Sequence, residues 1–271
     1  MKAIAERRRV TAVEFVPMPV RAALTVHPKG FRVFLKIEDA EDGTELKRRY
    51  DSEVQGQALP IKFRFSLAHE LAHTLFYDLG TPDDRPQEIK EFRAGGGKTI
   101  LANLEKYCSR IAGHLLMPSP VFPREILKLN TLQPRDLLPF AELRAAASVQ
   151  SLVTRLGEEE DALISHGVRG CIAMVTSSAK GLFVKALAKP RSLNIAREIR
   201  SLRPGERWQI CGRDGSSLFN GESEARTTLP LTIETRLSRE RTEHELILRR
   251  YSSFQGEDSY LVYLVSAKPI P

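Results

Sequence analysis

The chain has 271 residues, 42% hydrophobic and 28% charged, which is the balance of an ordinary soluble protein able to bury a full core or two smaller ones. Its 41 basic and 34 acidic residues leave +7, which favours a polyanionic neighbour without identifying one. Cys108, Cys171 and Cys211 are few, scattered and without CxxC spacing; this excludes a disulfide framework and a cysteine zinc site, and fits a reducing cytoplasm.

In chain order, residues 1–20 read as a loose arm or a first short helix closed by Pro17 and Pro19. The stretch from Val10 to Val26 is broken by Glu14, Pro17, Pro19 and Arg21, so it is no signal-peptide core, and no run is long enough to span a membrane. Residues 23–26 and 31–37 read as a hairpin about Pro28-Lys29-Gly30. The charged stretch 38–57 reads as a long exposed loop.

Pro60 precedes the stretch Phe63 to Tyr77, which contains His-Glu-Leu-Ala-His. A helix is expected here, with Ser66 as N-cap and Ala68, Leu71, Ala72 and Leu75 as its buried face. On a helix His69 and His73 point the same way one turn apart, so both imidazoles can bind one metal ion. Glu70 beside them is placed to take a proton from a metal-activated water and pass it to a leaving amine. A metzincin would need glycine and histidine where Phe76 and Leu79 stand.

After a breaker-rich segment from Gly80 to Pro86, Gly95-Gly96-Gly97-Lys98 lacks the first glycine of a phosphate loop and reads as a flap near the cleft. A second long helix is expected over 100–117, with Leu101, Leu104, Cys108, Ile111, Ala112 and Leu115 as its stripe and Glu105 on the buried edge. Such a carboxylate needs a partner, which could be a cation or a metal lacking its third ligand. His114, Glu88 and Glu91 are the competing ligands.

The pairing of Arg-Phe-Ser-Leu-Ala-His-Glu-Leu-Ala-His with the segment Glu105 to Pro118 resembles the ImmA/IrrE family of bacterial metallopeptidases. There an AHExxH helix is followed by one of the form E-x-x-A-N-x-F-A-x-x-L-L-M-P. The resemblance implies Zn²⁺ held by His69, His73 and Glu105, with Glu70 as general base. Cys108, Ser109 and Ile111 replace the usual alanine, asparagine and aromatic residue, and His114 a frequent acidic one. Tyr77, Tyr107 and His114 are candidates for stabilising the oxyanion, chosen by closeness in sequence to the ligands.

Beyond Pro118, residues 120–132, 134–147 and 149–156 read as short helices. The family can carry a helix-turn-helix here, but Gln150, Thr154 and Arg155 are a thin reading surface and an acidic run follows, so helical packing is favoured over DNA reading. Residues 157–167 read as a boundary. Past it, strands are expected at 171–176, 181–187, 208–211, 229–235, 244–251 and 260–265, with a helix over 193–202 and an arginine-rich face over 189–213.

The expectation is therefore an α+β chain in three parts. Residues 1–118 form a zincin-like peptidase domain, 119–163 a helical, HTH-like extension, and 164–271 an α+β domain similar in element order to the GAF-like sensors of some family members. The resemblance implies a cytoplasmic zinc-dependent endopeptidase. Its substrate would be a protein, a helix-turn-helix transcriptional repressor cut in a stress or mobile-element response, with the C-terminal domain regulating the cut. The alternative is a DNA-binding transcriptional regulator with a structural or sensing metal site; a third reading is a peptidase-like scaffold that binds a partner without cutting it.

Overall fold

The computed structural model describes residues 1–52, 59–81, 84–89, 97–119, 121–145, 147–168, 170–178, 181–191, 204–205, 207–208, 210–211, 224–233, 241–252 and 258–266. These form a mixed α+β structure with three sheets, divided into two units, Met1–Pro118 and Ser119–Pro271.

The first unit opens with α1 (Lys2–Arg7), the short helix that was one of the two expectations for residues 1–20, followed by a strand that was not expected, β1 (Val10–Val16). Its alternation is real but short. Val13 and Phe15 point into the core while Glu14 faces outward and pairs with Arg32 on the neighbouring strand. β2 (Ala22–His27) and β3 (Gly30–Lys36) form the expected hairpin, with Phe31, Val33 and Leu35 fully buried. The order is β1-β3-β2, with β3 parallel to β1 and antiparallel to β2. Arg9 takes a left-handed φ of 59° and its carbonyl accepts from Phe31 N at 2.8 Å. A Cβ on Gly30, whose φ is +152°, would stand 2.0 Å from that carbonyl oxygen, so no other residue fits this turn.

Charge hid a helix in the segment expected to be a loop. α2 (Gly43–Ser52) starts on Asp42, whose Oδ1 accepts from the N–H groups of Thr44 and Glu45 at 2.8 and 3.3 Å. Glu45 accepts from Arg48 at 2.7 Å and Arg49 at 2.9 Å one turn on, and Leu46 is the single buried residue. Two longer helices complete the unit, α3 (Ile61–His73) and α4 (Gly97–Leu116), packed against each other. Between them β4 (Tyr77–Asp78) and β5 (Gln87–Glu88) pair over two residues. The glycines expected in a flap, Gly95 and Gly96, lie outside the described residues, and Gly97 begins α4. The core lies between sheet and α3: Phe15 meets Phe63 edge-on with centroids 5.4 Å apart, backed by Val33, Leu35, Leu46, Leu67 and Leu71.

The second unit begins with α5 (Val121–Ile126), α6 (Pro134–Pro139), a π-helical turn over Phe140–Ala145, α7 (Val149–Leu156) and α8 (Glu160–Ser165). Ser148 caps α7, accepting from Ser151 N at 3.1 Å, and Leu152, Val153 and Leu156 are fully buried. Seven strands follow: β6 (Gly170–Ser178), β7 (Gly181–Ala188), β8 (Arg207–Trp208), β9 (Ile210–Cys211), β10 (Glu224–Ile233), β11 (Arg241–Ser252) and β12 (Asp258–Ser266). They form one antiparallel sheet in the order β8-β7-β6-β12-β11-β10-β9. The strands expected at 171–176, 181–187, 244–251 and 260–265 are present, and β10 starts earlier than its apolar core suggested. The single strand expected over 208–211 is instead β8 and β9, on opposite edges of the sheet. The helix expected over 193–202 lies outside the described residues.

Cys171 to Thr176 are buried without a break, so both faces of β6 are covered. α7 packs on β6 and β7, so closely that a Cβ on Gly157 would lie 3.1 Å from the Leu187 carbonyl oxygen. Among the described residues no helix is long and apolar enough to cross a membrane.

Candidate metal centre

α3 starts at Ile61, five residues before Ser66, with Pro60 as its N-cap, whose carbonyl accepts from Phe63 N at 3.0 Å and Arg64 N at 3.2 Å. Ser66 is therefore not the N-cap. It lies inside the helix, where its hydroxyl donates to the Lys62 carbonyl at 3.1 Å. The longer helix adds Phe63 and Leu67 to the buried face, together with Ala68, Leu71 and Ala72. Leu75, expected on that face, is 45% exposed because the helix tightens into a 3₁₀ turn at Thr74–Phe76 and rotates it outward.

The end of α3 is held by the first strand's approach. Thr74 is fully buried, its hydroxyl donating to the Leu71 carbonyl at 2.6 Å. Arg8 donates to the Thr74 hydroxyl at 3.1 Å, to the Thr74 carbonyl, and to the Tyr77 carbonyl at 3.3 Å. The Thr74 carbonyl also accepts from the Tyr77 N–H that closes the 3₁₀ turn, so Arg8 ties this end of the helix to the start of β4. Burial pulls the Arg8 guanidinium below its ordinary value.

With α3 fixed in this way, His69 and His73 project from its rim towards α4. Their Nε2 atoms are 3.2 Å apart. Glu105 of α4 completes a triangle, its Oε2 3.0 Å from His69 Nε2 and its Oε1 3.3 Å from His73 Nε2. Three donors of one tetrahedral ion at zinc–ligand lengths stand about 3.3 Å from each other, so the donor set has the size and chemistry of a metal centre. Among the described residues His69, His73 and Glu105 are the group of His, Cys, Asp or Glu side chains that could hold an ion. Glu105 is not on a buried edge as expected; its side chain is 58% exposed, against 16% and 20% for the histidines. On α4, Cys108 and Ala112 take the buried line, and Glu105, nearly a turn before Cys108, sits at the mouth of the helix pair.

Glu70 is 7% exposed. Burial, and after it the negative charge of Glu105, pushes its carboxyl up to about 7. Burial and the neighbouring His69 lower His73, against the opposing pull of Glu105. Cys108 is buried, and burial, then Glu105 and Glu70, raises its thiol to about 12, so without a metal it is a neutral thiol and a poor nucleophile.

None of the three residues offered as oxyanion stabilisers belongs to the donor group of His69, His73 and Glu105. Tyr77 stacks edge-on against Phe31, centroids 5.2 Å apart. Tyr107 is 58% exposed and, two residues past Glu105, about 200° around α4 from it. His114 is nine residues beyond Glu105, about 13 Å along the helix. Two contacts escaped the sequence reading: Arg8 at the end of α3, and Ser109, whose Oγ lies 3.4 Å from His69 Nδ1. Only the second had a signal, since Ser109 follows Glu105 by four residues and so shares its face of α4.

No protein-family model matches the sequence, nor does any curated protein. Among solved structures, one described as a Mycobacterium tuberculosis transcriptional regulator is similar at a TM-score of 0.46 with 11% identity, across 97% of this chain and 67% of that one.

Proposed function

We infer that the protein is a zinc-dependent endopeptidase of the ImmA/IrrE type, with a zincin-like fold in its first unit. The observation that carries this reading is the juxtaposition of a three-donor His69, His73 and Glu105 cluster with Glu70, a buried carboxyl lying next to the first histidine. A site meant only to hold a metal has no use for that carboxyl. Bound zinc supplies Lewis acidity, polarising a scissile carbonyl and acidifying water.

Everything else falls to the chain's own side chains. Glu70 accepts a proton on its carboxylate as water attacks, then returns it to the leaving amine. Burial, the larger cause of the raised value of about 7 in the metal-free site, also favours the protonated carboxyl that must return the proton, where a carboxylate at the ordinary value would be a poor acid. His69 and His73 serve as neutral nitrogen donors, and burial favours the neutral ring in His73. The mouth position of Glu105 leaves the centre open on one side, as a site that admits a peptide requires. The substrate class proposed is a helix-turn-helix repressor, and the second unit is proposed to regulate the cut.

The rival reading is a DNA-binding transcriptional regulator with a structural or sensing metal site. The described part of the helical segment offers that reading little. α7, the helix proposed for DNA reading, turns Ser151, Leu152, Val153, Arg155 and Leu156 inward, and Arg155 is committed to Glu158, Glu159 and Ser119.

The two readings separate on Glu70→Gln. The zinc-loaded protein is incubated with a genomically adjacent helix-turn-helix repressor and the products are read by intact mass. The peptidase yields two fragments whose masses sum to the repressor plus water, at a rate reduced about 10²- to 10⁴-fold by Glu70→Gln. Salt-dependent, sequence-selective DNA binding that survives the change, with no fragments, would favour the regulator.

A further inference from the structure

We propose that Ser109 is a positioning residue for the metal centre: its hydroxyl accepts the Nδ1 proton of His69 and so fixes which ring nitrogen faces the ion. This rests on the metal-binding part of the function proposed above.

An imidazole binds a metal through one nitrogen, and the proton then resides on the other. Both nitrogens of His69 have defined surroundings. Nε2 lies in the donor triangle, 3.2 Å from His73 Nε2 and 3.0 Å from Glu105 Oε2. Nδ1, on the opposite side of the ring, meets Ser109 Oγ at 3.4 Å. The ring is thus gripped from both sides by one helix, because Glu105 and Ser109 are four residues apart on α4 and project from the same face. On a third side the ring of Phe65 lies with its centroid 6.2 Å from that of His69, limiting rotation about the side-chain bonds.

Without an ion, Nε2–H can donate to Glu105 Oε2 while Nδ1 accepts from the Ser109 hydroxyl; with an ion in the triangle one assignment remains, because Nε2 must offer its lone pair. A proton on Nδ1, accepted by Ser109 Oγ, leaves the Nε2 lone pair directed at the point shared by the other two donors. A hydroxyl on a helix suits this task, having two lone pairs for the ring N–H and its own O–H free to rotate elsewhere. Partners of this kind on the far nitrogen of a ligand histidine typically contribute 10- to 100-fold in metal affinity. Ser109 is exposed and takes no part in the core, so its removal leaves the packing of α3 and α4 intact.

The test compares wild type, Ser109→Ala and Ser109→Thr, the last retaining the hydroxyl. Zinc affinity is measured by competition with a chromophoric chelator, and the His69 ring by ¹H–¹⁵N spectra of the zinc-loaded, ¹⁵N-histidine-labelled protein. The expected result is a dissociation constant about 10- to 100-fold weaker in Ser109→Ala and restored to within a few-fold in Ser109→Thr. A slowly exchanging Nδ1–H signal from His69 is expected in wild type and Ser109→Thr and broadened by solvent exchange in Ser109→Ala. Equal affinity in all three proteins, or an unchanged Nδ1–H signal in Ser109→Ala, overturns the role of Ser109 and leaves the peptidase reading standing. Wild type that binds no zinc overturns both, whereas a zinc-binding wild type that cleaves nothing removes the peptidase reading alone.

Discussion

α3 and α7 each sink one ionisable side chain into an apolar face, Glu70 at 7% exposure and Arg155 at 3%, but surround it differently. Arg155 is met by charge and hydrogen bonds made to fit: Glu158 at 3.4 Å, Glu159, Ser119 Oγ at 2.6 Å, and the face of Phe122 at 5.1 Å. Among the described residues no cation pairs with Glu70, and the charge that reaches it is that of another carboxylate, Glu105. A buried ion with matched partners ties its own unit together. A buried acid facing a second acid costs stability, and such an expense is ordinarily found where the group has chemistry to perform.

The contrast can be broken experimentally, and the largest effect lies in cleavage. There Glu70→Gln should lower the rate about 10²- to 10⁴-fold without loss of bound zinc. Next is Arg155→Ala, which strands Glu158 and Glu159 beside an apolar gap. It should destabilise the protein by about 3 to 5 kcal/mol in chemical denaturation, with Arg155→Met costing less.

The metal-free form of Glu70→Gln should move the opposite way. Because the folded-state value of Glu70 is raised from 4.5 to about 7, wild type loses stability as pH rises through that window. Glutamine, which stays neutral, does not. The variant should therefore match wild type near pH 4.5 and exceed it by on the order of 2 kcal/mol at pH 8. A variant that is less stable than wild type at pH 8 would place Glu70 with Arg155 as a structural ion. The smallest effect is expected at Glu45, whose carboxyl is held at about 2 by Arg48 and Arg49 yet is solvent-exposed; Glu45→Gln should leave the melting midpoint essentially unchanged.

The two histidines and Glu70 were legible because a four-residue spacing on a helix is a property of the helix alone. Where that helix begins was not, since Ser66 has the chemistry of a cap but Pro60 and the apolar pair Phe63 and Leu67 draw the start upstream. Nor was β1, whose Val13 and Phe15 alternate over too few residues to stand out beside Glu14. α2 was hidden because its stabilising pairs are charges, which composition reads as solvated loop. The exposure of Glu105 depended on how two helices meet, and the partners of Arg8 and Ser109 lie 66 and 40 residues away in sequence. In the second unit the strands were visible from apolar runs, whereas the inward turn of Arg155 was set by two glutamates that the sequence presents as an ordinary acidic run.

The most direct measurement is the zinc content of purified wild type, His73→Ala and Glu105→Ala after dialysis against a weak chelator, by elemental mass spectrometry. One zinc per wild-type chain and less than about a tenth of that in either variant is the result expected of a centre assembled from both helices. One zinc per chain retained in Glu105→Ala would contradict it.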